Sequence, residues 1–120
     1  MVTAMFRYSY NALAYFGETI EKSIERTARY GYDAIELMGE PQEYDTRKVK
    51  RACGDAGIVV SSICSVYWGE ERDFANTDKL NREKTLNYTK SVIDLAAAVG
   101  ASIVTIAPRD RKSTRLNSSH

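Results

Sequence analysis

Apolar and polar positions follow one repeated phrase along this chain: an amphipathic stretch, a glycine, then a short apolar run. Gly31 precedes Ala34, Ile35, Glu36 and Leu37; Gly57 precedes Ile58, Val59 and Val60; Gly100 precedes Ile103, Val104, Thr105 and Ile106. A helix commonly ends on a residue in the left-handed conformation, where glycine has no side-chain clash. Helix, glycine, strand, three times over, predicts parallel β/α units. Such sheets place their ligands at the C-terminal ends of the strands.

Residues 5–10, rich in aromatics, read as a first strand, with a loop over 11–17. A helix is predicted over 19–30, with Ile20, Ile24, Thr27 and Ala28 on one face. Strand two covers 34–37, and a loop holding Pro41 covers 38–44. Asp45 or Thr46 can cap a second helix, whose inner stripe is Val49, Cys53 and Ala56. Arg47, Lys48, Lys50 and Arg51 lie mostly on its other faces. They read as a solvated outer surface rather than a phosphate or nucleic-acid patch. Strand three is 59–65, followed by a long loop over 67–77. A third helix runs over about 78–99 with Leu86, Ile93, Ala96 and Ala97 on its core side. Strand four is 103–106, and Pro108 blocks further pairing there.

The order β-α-β-α-β-α-β is half of an eight-stranded (β/α)8 TIM barrel, which takes about 250 residues. A flavodoxin-like open sheet is the rival. A Rossmann domain is disfavoured, because no GxGxxG follows any strand.

Composition narrows the class. The 120 residues, 43% hydrophobic and 28% charged, suit one small soluble domain with a core. The balance of 17 basic against 16 acidic side chains argues against a dedicated nucleic-acid surface. No apolar run approaches the roughly 20 residues that span a bilayer. The start has no basic region followed by an apolar stretch, so a cytoplasmic protein is expected. Cys53 and Cys64 form no CxxC pair and read as reduced thiols.

Residues 110–120, Asp-Arg-Lys-Ser-Thr-Arg-Leu-Asn-Ser-Ser-His, resemble a translated sequencing adapter. A natural polar, disordered tail has a similar composition. The first reading makes 1–109 a partial domain from a gene cut in mid-sequence, and 110–120 a non-native tail excluded from fold reasoning. It also sets aside His120, the sole histidine.

In either fold the residues after each strand ring the site: Tyr10 and Asn11, then 36–40, 64–71 and 107–109. Glu36 ends a buried strand, where a carboxylate is costly unless paired or used. It reads as a substrate contact or orienting group, with an ion pair to Arg7 or an outward-pointing side chain as alternatives. Tyr67, Trp68, Glu70, Glu71 and Asp73 occupy a loop longer than a turn requires. An aromatic wall beside carboxylates suits a sugar, whose ring stacks on the aromatic while its hydroxyls bond to the acids. Alternatively, Tyr67 and Trp68 only cover the mouth of the barrel. Without a histidine, Cys64 has no activating base and a Ser-His-Asp triad is excluded.

With these residues in view, 5–108 resembles the front half of the xylose isomerase-like TIM-barrel superfamily, particularly its sugar phosphate isomerase/epimerase members. The resemblance rests on Tyr8-Ser-Tyr-Asn-Ala-Leu-Ala-Tyr-Phe-Gly-Glu18, Tyr30-Gly-Tyr-Asp-Ala-Ile-Glu-Leu37, Gly57-Ile-Val-Val-Ser-Ser-Ile63 and Leu95-Ala-Ala-Ala-Val-Gly-Ala101. It implies a divalent-metal enzyme (Mn, Mg, Co or Zn) in the full-length parent, the ion held by Glu, Asp and His mainly from later strands. The metal polarises sugar oxygens while carboxylates move a proton between adjacent carbons. No residue here matches a metal ligand. Glu36 matches the acidic, pocket-lining residue at the end of the second strand, and Tyr10 and Trp68 match lining positions loosely.

The expected substrate contacts are therefore Tyr10, Glu36, Tyr67, Trp68 and Glu70, and the expected partner is a small sugar, without nucleic acid or membrane. The alternatives are a metal-dependent abasic-site endonuclease of the same superfamily, or a fragment inactive by itself. A half barrel also exposes unpaired edges and an apolar inner face, so instability, aggregation or pairing with a second copy is expected.

Overall fold

Four short parallel strands alternate with three helices in the computed structural model, which describes residues 6–15 and 17–107. They are β1 (Ser9–Asn11), α1 (Ile20–Arg29), β2 (Ala34–Met38), α2 (Thr46–Ala56), β3 (Val59–Cys64), α3 (Lys79–Val99) and β4 (Ile103–Thr105). Short 3-10 turns lie at Ala12–Tyr15, Pro41–Glu43 and Glu70–Arg72, where loops are predicted from sequence. Met5, Pro108 and the tail at 110–120 lie outside the described residues.

Local chemistry sets the helix ends. Thr19, Asp45 and Asp78 stand at the N-caps, their side-chain oxygens accepting from Lys22, from Arg47 and Lys48, and from Leu80. Gly57 and Gly100 close α2 and α3 at φ 74° and 82°, a conformation that costs other residues a Cβ clash. The first strand begins later than the aromatic run suggests. Tyr8 instead exchanges bonds with Asp33: its N–H donates to Asp33 Oδ2 and its carbonyl accepts from the Asp33 N–H, each at 2.8 Å.

The sheet order is β1-β2-β3-β4, all parallel. A flavodoxin-like sheet places β1 between β2 and β3; here β1 is next to β2 alone, as in the N-terminal half of a TIM barrel. The helices pack on one face, where Ile24, Ile35, Leu37, Val49, Val60, Ile63 and Val92 form one core with Cys53. Val60 and Ile63 are three apart, an odd spacing that a regular strand would send to opposite faces. A register shift resolves this: Ile35 pairs with Val60 but Glu36 pairs with Ser62, leaving Ser61 as the extra residue of a bulge. Both aliphatic side chains thereby enter the core.

The expected inner face of α3 needs correction. Leu86, Ile93 and Ala97 are exposed, and the buried stripe is Thr85, Thr89, Val92, Leu95, Ala96 and Val99. The threonines bury without penalty because their hydroxyls back-bond to the Asn81 and Thr85 carbonyls, at 2.9 Å each.

Deletion of Ser61 restores a regular strand and forces Ile63 or Val60 out of the core. It is expected to cost about 2–5 kcal/mol, the scale of an Ile-to-Ala truncation. Ser61→Ala, which keeps the bulge, is expected to cost about 1 kcal/mol. Urea denaturation checks this; equal midpoints for the two variants would refute the role of the bulge.

Candidate functional site

The face of the sheet turned away from the helices carries polar side chains at its centre, with Val59 and Ile103 exposed beside them. Residues paired in register share a face, so Asn11, Glu36, Ser62 and Cys64 line this side. Glu36 sits at its centre. Asn11 Nδ2 donates to Glu36 Oε1 at 2.7 Å and Ser62 Oγ donates to Oε2 at 2.5 Å. The Asn11 amide is itself oriented, since its Oδ1 accepts from the Leu13 N–H at 2.8 Å. Three strands thus hold one half-buried carboxylate, and Asn11 and Ser62, not Arg7, are its partners. A carboxylate has about four acceptor positions, so two remain for a ligand's hydroxyls. Cys64, two positions beyond Ser62, has its thiol pushed up, first by burial and then by the charge of Glu36. That disfavours a thiolate nucleophile.

A second network ties the loops together. Arg72 grips Glu40 with both terminal nitrogens, at 2.5 and 3.0 Å, and donates to the Val66 carbonyl at 3.2 Å. Its guanidinium lies 3.9 Å from the centre of the Tyr88 ring. The Tyr88 hydroxyl donates to the Gly39 carbonyl at 2.7 Å and accepts from the Val66 N–H at 2.8 Å. Gly39 is needed for this approach: a Cβ there would lie 2.9 Å from both Ser65 Cα and the Tyr88 hydroxyl. The loops after β2 and β3 are therefore clamped to α3. Beside the clamp lies a cleft of about 820 Å³, walled by Leu13, Tyr15, Met38, Val66 and Trp68, with Glu40 and Arg72 on its polar side.

The five residues expected to touch substrate are not brought together. Of them only Trp68, 81% exposed, lines the cleft. Glu36 lies on the face of the sheet turned away from the helices. Tyr10 pairs in register with Ile35 on the helix side, its ring 5.2 Å from Tyr15 and 4.9 Å from Tyr32. Tyr67 is buried against Phe74 and Tyr88, its hydroxyl 2.9 Å from Thr89 Oγ1. Glu70 is exposed at the start of the third 3-10 turn. From sequence Asn11 and Glu40 fall on the rim without a role, and Ser62, Arg72 and Tyr88 do not stand out. Arg72 carried a signal, as a cation in the long loop. Tyr88 carried none, since it meets Gly39 across 49 positions.

Among the described residues no three His, Cys, Asp or Glu side chains are grouped to hold a metal ion. A hard divalent cation takes six or more oxygen ligands, some of them water, and usually more than one carboxylate. Glu36 alone does not fit that requirement. Among the same residues, no helix is long and apolar enough to cross a membrane.

The sequence model of the xylose isomerase-like TIM barrel matches residues 24–118. Solved structures of similar shape include D-psicose 3-epimerase from Clostridium cellulolyticum, crystallised with D-tagatose. It has TM-score 0.70 and 15% identity, over 89% of this chain and 40% of that one. A 3-keto-D-glucoside 4-epimerase from E. coli has TM-score 0.67 and 21% identity, over 92% of this chain and 47% of that one. A sugar phosphate isomerase/epimerase from Parabacteroides distasonis has TM-score 0.63 and 22% identity, over 90% and 41%. The chain thus spans less than half the length of each. No curated protein matches.

Arg72 holds the Glu40 carboxyl below the usual carboxylate range, chiefly by hydrogen bonding. The folded state therefore binds the Glu40 proton less tightly than the unfolded chain does. The stabilisation is complete above the ordinary carboxylate pKa and is lost as pH falls through the depressed folded value. Both side chains are a fifth to a quarter exposed, so solvent screening keeps the effect modest. Melting temperature is expected to drop on acidification below about pH 4, and less steeply in Glu40→Gln. Superimposable acid limbs for the two proteins would refute the clamp.

Proposed function

Because the chain belongs to the xylose isomerase-like TIM-barrel family, we propose that it is the N-terminal half of a sugar or sugar-phosphate isomerase/epimerase that moves a proton between adjacent carbons. In this reading residues 1–109 are part of that barrel domain and residues 110–120 are not native to it, the family match to residue 118 running past that boundary. One observation carries the proposal: Asn11 and Ser62 hold the Glu36 carboxylate, at the middle of β2, on the face of the sheet turned away from the helices.

Sugar recognition needs acceptors for hydroxyls and a flat apolar surface for the ring. Glu36 has acceptor capacity left over, and Trp68 offers its indole at the rim of the cleft. The cleft volume lies within the roughly 300–1,000 Å³ of small-molecule sites. We place substrate contact on Trp68, which lines the cleft, and on Glu36, on the sheet face outside the cleft lining; Tyr10, Tyr67 and Glu70 do not line the cleft. Several of the similar solved structures are named as epimerases of free ketoses or keto-glycosides, which supports a carbohydrate substrate.

The described residues lack the donor set of a divalent metal. The ion that the resemblance implies would draw its ligands from strands beyond β4, and the groups that transfer the proton would lie there as well. Within this half, Glu36 binds and orients the sugar.

The test is proton exchange in heavy water, with manganese and a panel of ketoses. The product of the uninterrupted gene is expected to exchange a carbon-bound proton. Its Glu36→Gln variant is expected to lose about 10- to 100-fold in kcat/KM. Absence of exchange with every sugar would overturn the proposal. The 120-residue chain is expected to be silent, and turnover by it would refute the half-barrel reading.

A further inference from the structure

The cleft between the first turns of α1 and α2 and the β3–α3 loop carries a charge pattern that discriminates among sugars. Its lining holds five carboxylates, those of Glu18, Glu21, Glu40, Glu43 and Asp45, against two cations, Lys48 and Arg72. Neither cation offers a phosphate ester a ready seat. Arg72 has the end of its fork filled by Glu40 and its face laid on Tyr88. Lys48 is exposed, a point charge on a flexible stem one turn beyond the Asp45 carboxylate. Glu18 is paired with Arg26, and Glu40 with Arg72. Among the described residues Glu21 and Glu43 form no ion pair, so their charge is not offset locally.

Anions are ordinarily held by free backbone N–H groups at a helix N-terminus. The first residues of both α1 and α2 line the cleft, and each helix is closed by its own cap. Thr19 Oγ1 accepts from the Lys22 N–H at 3.3 Å. Asp45 Oδ1 accepts from the N–H groups of Arg47 and Lys48, at 3.1 and 3.3 Å. At α2 a carboxylate therefore already occupies the position that an anionic ligand would take. At α1, Glu21 adds a negative charge in the first turn. A phosphate monoester carries a charge of about −1.5 to −2 at neutral pH, and a free sugar none. The free sugar instead brings hydroxyl donors, which carboxylates accept. Exposed acids act on a ligand through water, so their repulsion is moderate and sensitive to salt.

Given the sugar-binding reading of the cleft, on which this rests, we propose that the cleft selects uncharged sugars over their phosphate esters, with Glu21, Glu43 and Asp45 as the specificity-determining residues. Trp68 is the sole tryptophan of the chain and lines the cleft, so its fluorescence samples the local potential. In the 120-residue chain at low salt, caesium is expected to quench it at least about twice as efficiently as iodide, each relative to free N-acetyltryptophanamide. The ratio is expected to fall towards unity in about 1 M sodium chloride, and to fall in Glu21→Gln with Glu43→Gln. Glu70, close to Trp68 in sequence, is present in both proteins, so the difference between them belongs to the cleft. Circular dichroism checks that the variant keeps its helices; should it unfold, Glu43→Gln alone replaces it, with the same expectation. A ratio at or below unity, or one unchanged in the variant, would overturn the proposal. With the product of the uninterrupted gene, kcat/KM for proton exchange is expected to be at least about tenfold higher for D-fructose or D-tagatose than for its 1- or 6-phosphate, and the gap to narrow in the same variant. An equal or higher kcat/KM for the phosphate overturns the proposal and leaves the isomerase reading standing. Exchange with no sugar, free or phosphorylated, overturns that reading and this proposal together.

Discussion

One extra residue in β3 governs both faces of the sheet. The bulge at Ser61 lets Val60 and Ile63 enter the helix-side core in spite of their odd spacing. The same half-step sets Ser62 against Glu36, where its hydroxyl meets the carboxylate. Packing on one side and the polar centre on the other therefore share a cause. Because the side-chain period of a strand is two, neither can shift without the other.

The C-terminal ends of the strands are organised by a different kind of contact. Tyr88 reaches from α3 to the Gly39 carbonyl and the Val66 N–H, and Arg72 stacks on its ring while gripping Glu40. Such a network rigidifies the rim because Arg72, Tyr88 and Val66 are each held by at least two other members. The cleft and Trp68 lie against this frame, and Glu40, Val66 and Arg72 belong to both cleft and frame. Tyr67, an aromatic of the same loop, belongs to the support: it is buried against α3.

What the sheet leaves uncovered is as informative as what it buries. The apolar stripe of Leu86, Ile93 and Ala97 is a true helical stripe, which is why it reads as a core face from sequence. It lacks a neighbour among the described residues, and so it is exposed. The real inner stripe is disguised by Thr85 and Thr89, whose hydroxyls are satisfied by the helix itself and by the adjoining loop. The first effect reflects a fold in which flanking elements ordinarily bury one another; the second reflects hydroxyl bonding within the helix.

Local physics was legible in the chain. The cap at Asp45, the left-handed glycines after the helices, and the aliphatic runs of the strands each act over a few residues, so the sequence by itself determined the order of elements and the parallel β/α class. That Glu36 needs partners was legible too, because a carboxylate in a short buried strand must be paired or used. Its partners were not. Asn11 and Ser62 reach it through strand register, and register turns on a single bulge that no local preference announces. Only the tertiary structure decided that Tyr10 faces the helices, that Tyr67 is buried, and that Tyr88 and Arg72 shape the rim. Those outcomes depend on contacts between residues distant in sequence, and period and propensity do not encode such contacts.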